Sequence, residues 1–471
     1  MASAIPENLA RFELAEAARL VGARAPESAG VAHGVTTDSR ADVRGKLFVA
    51  LTGERFDAHE FVPGVLERGA LAAVVARDVP GARGALLRVE SPLGALGALA
   101  AEARRRWGGR VVAVAGRAGK TTTRSAIARL LEAVAPGQVH APTGNLNNLI
   151  GVPMVLLGLE ARHRFAVVEL GTNAPGEVAR LVQLARPDAG VLTLIALEHT
   201  EGLGDLDAIE VEEGSLLAGL SPTGIAIANA DDERARKRLR ASAAGTHVRY
   251  GARSPADYAI EARTAIGAAA SEIRIARPSG PLTVRAPLLG EPGALAVAAA
   301  VAAVETLTAT ALERATVERA LASGGEPGRL VPLELGDGTL VLDDTYNSNP
   351  GSVPSSIATA AELARDRAAR LVLVLGEMRE LGALSREAHA EMGVVAAASG
   401  AALVLGVAGD ASVLVEAARR GGAEARFTGD AAAAAGEALA AVRPGDVVLV
   451  KASRGVHAER IVAALSRGAA S

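Results

Sequence analysis

Apolar residues in this 471-residue chain fall mostly in short unbroken runs rather than in alternation with polar ones. Runs at 111–115, 165–170, 190–195 and 224–228 are separated by stretches with helical spacing. A strand that is apolar throughout must be covered on both faces. Such strands alternating with helices predict a parallel sheet flanked by helices. The same alternation returns at 339–343, 370–375, 402–405 and 446–450. Earlier, 45–51 and 71–75 read as strands, and an alanine-rich helix over 91–106 leads into the first regular series. Between the two series, 250–290 is β-like but irregular and an apolar helix spans 293–304. Ser323-Gly324-Gly325-Glu326-Pro327-Gly328 then punctuates the chain like a boundary. The expectation is an α/β protein of three domains, divided at 1–100, 101–323 and 324–471. They are a small α/β unit, a central mostly parallel sheet, and a Rossmann-like C-terminal unit.

One uncharged run, 392–409, approaches the length of a membrane span. Four glycines interrupt it, so it reads as a helix end, a turn and the strand 402–405. Glu7, Glu13 and Glu16 near the N-terminus are wrong for a signal peptide. The expectation is a soluble, cytoplasmic protein with no membrane insertion.

Composition narrows the function classes. Basic and acidic residues number 50 and 53, for a net charge of −3, and aromatics make up only 2%. The charge balance lacks the basic excess of a constitutive nucleic-acid binder and stacking platforms are nearly unavailable, so no nucleic-acid partner is expected. The absence of cysteine excludes disulfides, thiolate metal sites and a cysteine nucleophile. Only Lys46, Lys120, Lys237 and Lys451 are lysines, and every other basic residue is arginine. Where generic positive charge is served by arginine, a lysine marks a place that needs a compact ammonium. Lys237, inside a run of arginines, reads instead as part of a solvated helix face.

Lys120 stands in a recognisable context. The run 111–115 leads into Gly116-Arg117-Ala118-Gly119-Lys120-Thr121-Thr122-Thr123 and then a helix. A glycine loop between strand and helix presents backbone N–H groups to phosphate, with Lys120 adding charge and the Thr121 hydroxyl a ligand for Mg²⁺. The eight-residue Walker pattern is incomplete, because Val114 occupies its first glycine position. Ligands of open α/β sheets sit at the carboxyl ends of strands. Glu169 ends one expected strand and His199 follows another, so both are candidates for holding Mg²⁺ attached to a nucleotide.

At this point the sequence resembles the ATP-dependent Mur ligases of peptidoglycan synthesis, over nearly its whole length. Thr36-Thr37-Asp38-Ser39-Arg40 and the stretch from Leu47 to His59 look like the UDP-substrate domain of that family. Thr143-Gly144-Asn145-Leu146-Asn147-Asn148 through Pro153, and Glu169-Leu170-Gly171-Thr172-Asn173, follow in family order. Gly328-Arg329, Asp343-Asp344-Thr345-Tyr346-Asn347, Gly376-Glu377-Met378-Arg379-Glu380-Leu381-Gly382 and Lys451-Ala452-Ser453-Arg454-Gly455 complete the set. These last pieces are most similar to the branch that joins D-alanyl-D-alanine to a UDP-N-acetylmuramoyl-tripeptide.

The resemblance implies an ATP- and Mg²⁺-dependent ligase acting through an acyl phosphate, a monomer whose partners are these small substrates. It assigns Lys120, Glu169, His199 and Arg329 to catalysis. Gly116, Gly119, Lys120, Thr121, Thr122, Arg329 and Asp344 would hold the nucleotide. Thr121, Glu169 and His199 would hold metal. Ser39, Arg40, Thr143, Asn145, Asn148, Asn347 and Lys451 would contact substrate. A related ligase with another acceptor, or a non-catalytic nucleotide-binding paralogue, would share these residues.

Four places differ from the family pattern. Arg117 replaces a small residue, Leu194 an asparagine, and 290–296 an Asn/His pattern that serves the adenine. Glu213 falls where the family carries a carbamylated lysine. No lysine lies between Lys120 and Lys237, so Glu213 is expected to supply the negative charge near a second Mg²⁺, through a bridging water or a nearer backbone.

Overall fold

The computed structural model describes residues 6–53, 56–141, 144–197 and 200–468. Within them the chain builds three principal sheets. The first has four parallel strands in the order Val35–Thr36, Leu47–Val49, Ala72–Val75, Ala85–Arg88. Helix Pro92–Trp107 follows, started by Ser91, whose hydroxyl accepts the Gly94 N–H. It runs across the position expected to divide the first domain from the second.

The second sheet has nine strands, and third from its edge strand Val139–His140 lies Arg110–Ala115. Phe165–Glu169 pairs with it on one side and Ala189–Leu192 on the other, both parallel. Ile225–Asn229 and Thr246–Gly251 extend the parallel part. The irregular β region proves to be an ordered meander, Tyr258–Ile266, Ala270–Ala276 and Leu282–Ala286, paired antiparallel. One face of it is wet, and Arg274–Glu261 and Arg285–Glu272 pair across strands there. Those exposed charges obscured the strand pattern in the sequence.

Helix Gly290–Thr308 is longer than the expected 293–304. It is apolar and long enough to cross a membrane, yet most of it is buried inside the protein. Alanine on nearly every side lets it pack closely against helix Lys120–Val134 and the central strands. The 392–409 run divides as expected, into the end of helix Ser385–Ala398, a turn, and strand Leu403–Val407.

The third sheet has six strands, Val331–Glu334, Leu340–Asp344, Val447–Lys451, Leu371–Gly376, Leu403–Val407 and Ala425–Thr428, parallel except for the first pair. Polar contacts join it to the second. Glu326 accepts from Ser125 Oγ at 2.7 Å and pairs with Arg129, and Arg263 meets Glu362 at 2.6 Å. The carboxyl ends of the central strands of both sheets thereby reach one common cavity.

Candidate active site

Strand Arg110–Ala115 ends at Gly116, and helix Lys120–Val134 begins four residues later. Gly116 turns at φ 118°, and a Cβ there would lie 2.3 Å from Thr193 Oγ1, so only glycine fits. Gly119 precedes the helix at φ 81°, and no side chain caps the helix start. Its first N–H groups are therefore left for an anion in the cavity that Gly119, Lys120, Thr121 and Thr122 line. Lys120 Nζ folds back over the loop onto the Gly116 carbonyl.

Glu169 pairs in register with Val114, which brings its side chain beside the loop. Thr121 Oγ1 donates to its Oε2 at 2.7 Å and Asn147 Nδ2 to its Oε1 at 3.0 Å. Arg124 Nε stands 4.0 Å away. Glu169 does not cap the helix that follows it. That helix, Glu177–Ala185, is capped by Glu212, which accepts from Gly176 N–H and Val178 N–H at 2.7 Å each. A hydroxyl and a carboxylate in contact, backed by an amide, are hard oxygen donors that suit Mg²⁺ when phosphate and water complete its shell. Among the described residues no three His, Cys, Asp or Glu gather as a metal cluster. His199 and Thr143 lie outside the described residues.

Glu213 is in contact with the phosphate loop. It sits on helix Leu206–Ala218 and turns both oxygens to the phosphate loop. Oε2 accepts the Gly116 N–H at 2.6 Å, and Oε1 is 2.9 Å from Arg117 Nε. The two side chains are 0% and 1% exposed. The carboxylate contacts the loop directly, the short glutamate being met by a long arginine. Arg117 also donates its N–H to Leu194 O at 2.6 Å and a guanidinium N–H to Thr172 O at 3.4 Å. Three of the atypical residues, Arg117, Leu194 and Glu213, are thus one connected unit under the loop.

The cavity measures about 780 Å³. The phosphate loop, Glu169, Asn145 and Asn148 line one side of it, and Arg329, Asp344, Asn347 and Lys451 the other. Asp344 Oδ2 accepts from Lys451 Nζ at 2.7 Å and from Ser356 Oγ at 2.6 Å. Lys451 Nζ also reaches Asn347 O at 3.0 Å. The Arg329 guanidinium lies over the Tyr346 ring, 4.2 Å from its centre, and Arg454 lies over the same ring at 5.4 Å. Asn148 Oδ1 accepts from Ile150 N–H and Gly151 N–H, shaping the start of helix Gly151–Leu157. Ser39 and Arg40 are not part of this lining. Arg40 instead forks onto Asp38, with Nε and Nη2 each 2.9 Å from an oxygen, which holds the Asp38 carboxyl below its ordinary pKa.

A second cavity, about 770 Å³, opens behind Ala118 and Gly119. Leu194, Tyr250, Pro292, Leu295 and Pro354 give it apolar walls. Buried Asn229 accepts from Asp231 N–H through Oδ1 at 3.0 Å. Burial pushes the Tyr250 phenol far above its ordinary pKa, so it remains a donor, to Leu192 O at 3.4 Å. Sequence reasoning left Asn147, Tyr346, Arg379 and Arg454 unassigned, although each lies within a motif it had singled out. The available signal was position: each follows the carboxyl end of a strand or lies in the loop beside Glu169.

A phosphate loop whose cavity is completed by a second α/β unit defines the class: a nucleotide-dependent enzyme with a site shared between domains. The Mur ligase middle domain matches residues 114–304, and the Mur ligase, glutamate ligase domain matches 328–454. The chain is 36% identical to the UDP-N-acetylmuramoyl-tripeptide--D-alanyl-D-alanine ligase of Escherichia coli strain K12, covering 92% of this chain and 93% of that one. Its fold is similar to MurF from Acinetobacter baumannii, with TM-score 0.87, 28% identity, and coverage of 98% and 100%. MurF from Thermotoga maritima in complex with ADP is also similar, with TM-score 0.81, 27% identity, and coverage of 93% and 97%. The chain belongs to the Mur ligase family.

Proposed function

We propose that this ligase joins D-alanyl-D-alanine to UDP-N-acetylmuramoyl-tripeptide at the expense of ATP. The observation that carries this reading is the single cavity bounded by the phosphate loop and Glu169 on one side and Arg329, Asp344, Asn347 and Lys451 on the other. It gives a phosphoryl donor, a carboxylate and an amine one common enclosure. The relatives' named reaction supplies the identities of the carboxylate and the amine.

The chemistry follows in two steps. A tripeptide carboxylate oxygen attacks the γ-phosphorus, the bond to the β-phosphate oxygen breaks, and ADP leaves. The acceptor amine then attacks the acyl carbon and loses a proton, and inorganic phosphate departs with the C–O bond. Lys120 and the open helix start hold the transferring phosphoryl group, which is where charge neutralisation lowers the barrier. Thr121 and Glu169 would hold Mg²⁺, which when bound supplies positive charge to the phosphate oxygens. The nucleotide base occupies the second cavity, beside Asn229, because that space adjoins the same loop from behind.

ADP release measured with each substrate omitted in turn tests this reading. Release should require both the UDP-muramoyl tripeptide and D-Ala-D-Ala. Release without the dipeptide, or with the dipeptide replaced by an unrelated amine at equal rate, would overturn it.

A further inference from the structure

Arg329 reaches the main cavity from the segment that joins helix Arg314–Leu321 to strand Val331–Glu334. Among the described residues its guanidinium makes no ion pair and lies instead over the Tyr346 ring. Such a cation facing a phosphate loop suits an anion, provided that its place is fixed. The backbone beneath it supplies one restraint. Arg329 N–H donates to Glu326 O at 3.1 Å, closing a turn with Pro327 and Gly328 at its centre, and Gly328 stands at φ 70°. This is the pattern of a type II turn, in which proline presets the first central residue and glycine permits the second. Gly328 O in turn accepts the Tyr346 N–H at 3.0 Å, so the turn is tied to the end of strand Leu340–Asp344.

The first residue of the turn points the other way, to the central unit. Glu326 Oε1 accepts from Ser125 Oγ at 2.7 Å and lies 3.3 Å from Arg129 Nη2. Arg129 also donates to Gly324 O, two residues before Glu326. Thr121, Ser125 and Arg129 follow one another at intervals of four on helix Lys120–Val134, hence along one face of it. One helix face, one carboxylate and one tight turn thus connect the phosphate loop to Arg329. Ser125, Arg129 and Glu326 themselves lie outside the cavity lining.

We infer that Glu326 is a positioning residue for the nucleotide: its grip on Ser125 and Arg129 sets Arg329 opposite the phosphate loop, so that both hold one nucleotide. This rests on the ligase reading above, in which the loop and Arg329 face the same ligand.

Titration calorimetry of the full-length protein with a non-hydrolysable ATP analogue and Mg²⁺ tests it. Arg329→Ala should weaken analogue binding about 10-fold, the size of one hydrogen-bonded charge contact. Glu326→Ala removes no group from the cavity lining, yet should weaken binding at least about 5-fold. Glu326→Gln still accepts from Ser125 and Arg129, and should stay within about 2-fold of wild type. Combining Glu326→Ala with Arg329→Ala should add less than about 2-fold to Arg329→Ala alone, because the carboxylate acts through that arginine. Glu326 and Arg129 are part-exposed at the junction, so these variants should fold. Ser125→Ala deletes only the hydroxyl that Glu326 accepts, and should weaken binding about 3-fold without touching either charge. Wild-type affinity in both Glu326→Ala and Ser125→Ala, or losses that multiply in the double variant, overturns the positioning role alone. Wild-type affinity in Arg329→Ala also overturns it, by removing the group through which Glu326 acts. Failure of the ligase reading shows elsewhere, in ADP release that does not require both substrates, and leaves these affinities as they are.

Discussion

At the scale of single residues, the phosphate loop holds the most consequential surprise. Lys120 and Thr121 were legible in the sequence because a strand, a glycine loop and a helix start form a local pattern, and Glu169 because it ends a second apolar run of the same series. Arg117 and Glu213 were legible only as two separate departures, because nothing local says that residues so far apart will touch. Brought together they make a buried ion pair, with the Gly116 N–H as a third member. Removing one charge of such a pair leaves the other desolvated and uncompensated, which typically costs ~3–5 kcal/mol, whereas replacing both by apolar residues of similar volume is often neutral. Glu213→Gln keeps an acceptor for Gly116 N–H but strands the Arg117 charge, so urea unfolding should show a loss of about that size. Arg117→Met combined with Glu213→Gln should recover most of it. A stability change below ~1 kcal/mol in the single variant would show that the pair is not desolvated as the structure has it.

At the scale of elements, helix Leu206–Ala218 shows how one segment organises several others. Glu210 gathers Arg234, Lys237 and Arg238, Glu212 caps helix Glu177–Ala185, and Glu213 holds the phosphate loop. Its sequence advertised a helix but not these three destinations, since adjacent acidic residues look alike until their partners are placed. Lys237, read as solvated, is indeed largely exposed, and it meets Glu210 at 2.9 Å. The short strand Val139–His140 at the edge of the central sheet offers a pH test. Burial, and then the neighbouring His163, hold the His140 pKa down to about 4, and His140 Nε2 contacts Val155 O at 2.9 Å. The unfolded chain takes up this proton near pH 6.5 and the folded chain only near 4. This histidine therefore leaves stability untouched above about pH 6.5 and lowers it as pH falls toward 4, by ~1.4 kcal/mol per pH unit within that window. His163 and His389 are also shifted down and add to the slope. His140→Gln keeps a donor for Val155 O without a titrating ring. Urea unfolding at pH 7, 6 and 5 should show a shallower fall in the variant; parallel curves would rule out His140 as a contributor.

At the scale of the whole molecule, the sequence announced two α/β series and the break between them, but not how the two would meet. Runs of apolar strand residues report burial within a sheet, whereas the junction between sheets is polar and written in single residues scattered along the chain. Among the described residues, the principal apolar clusters of the third sheet draw almost entirely on residues after 330, with Leu289 the one buried contribution from earlier in the chain. Across the junction, Glu326 is held by Ser125 and Arg129, and Glu362 by Arg263. Such contacts orient two units without supplying either with its core, and surface-type pairs add little to stability. A fragment ending at Ser323 should therefore remain folded, with a cooperative thermal transition of its own. The phosphate loop, Thr121 and Glu169 would all be present in it, so phosphate-side nucleotide contacts survive. Arg329, Asp344, Asn347, Lys451 and Arg379 would be missing, and with them the wall of the cavity that faces the phosphate loop. ADP release coupled to both substrates should fall below detection, while nucleotide binding, followed by calorimetry, weakens but persists. A fragment that forms the peptide bond at the full-length rate would show that the third sheet is not part of the site. A fragment that does not fold would show that the polar junction carries more of the stability than its surface character implies.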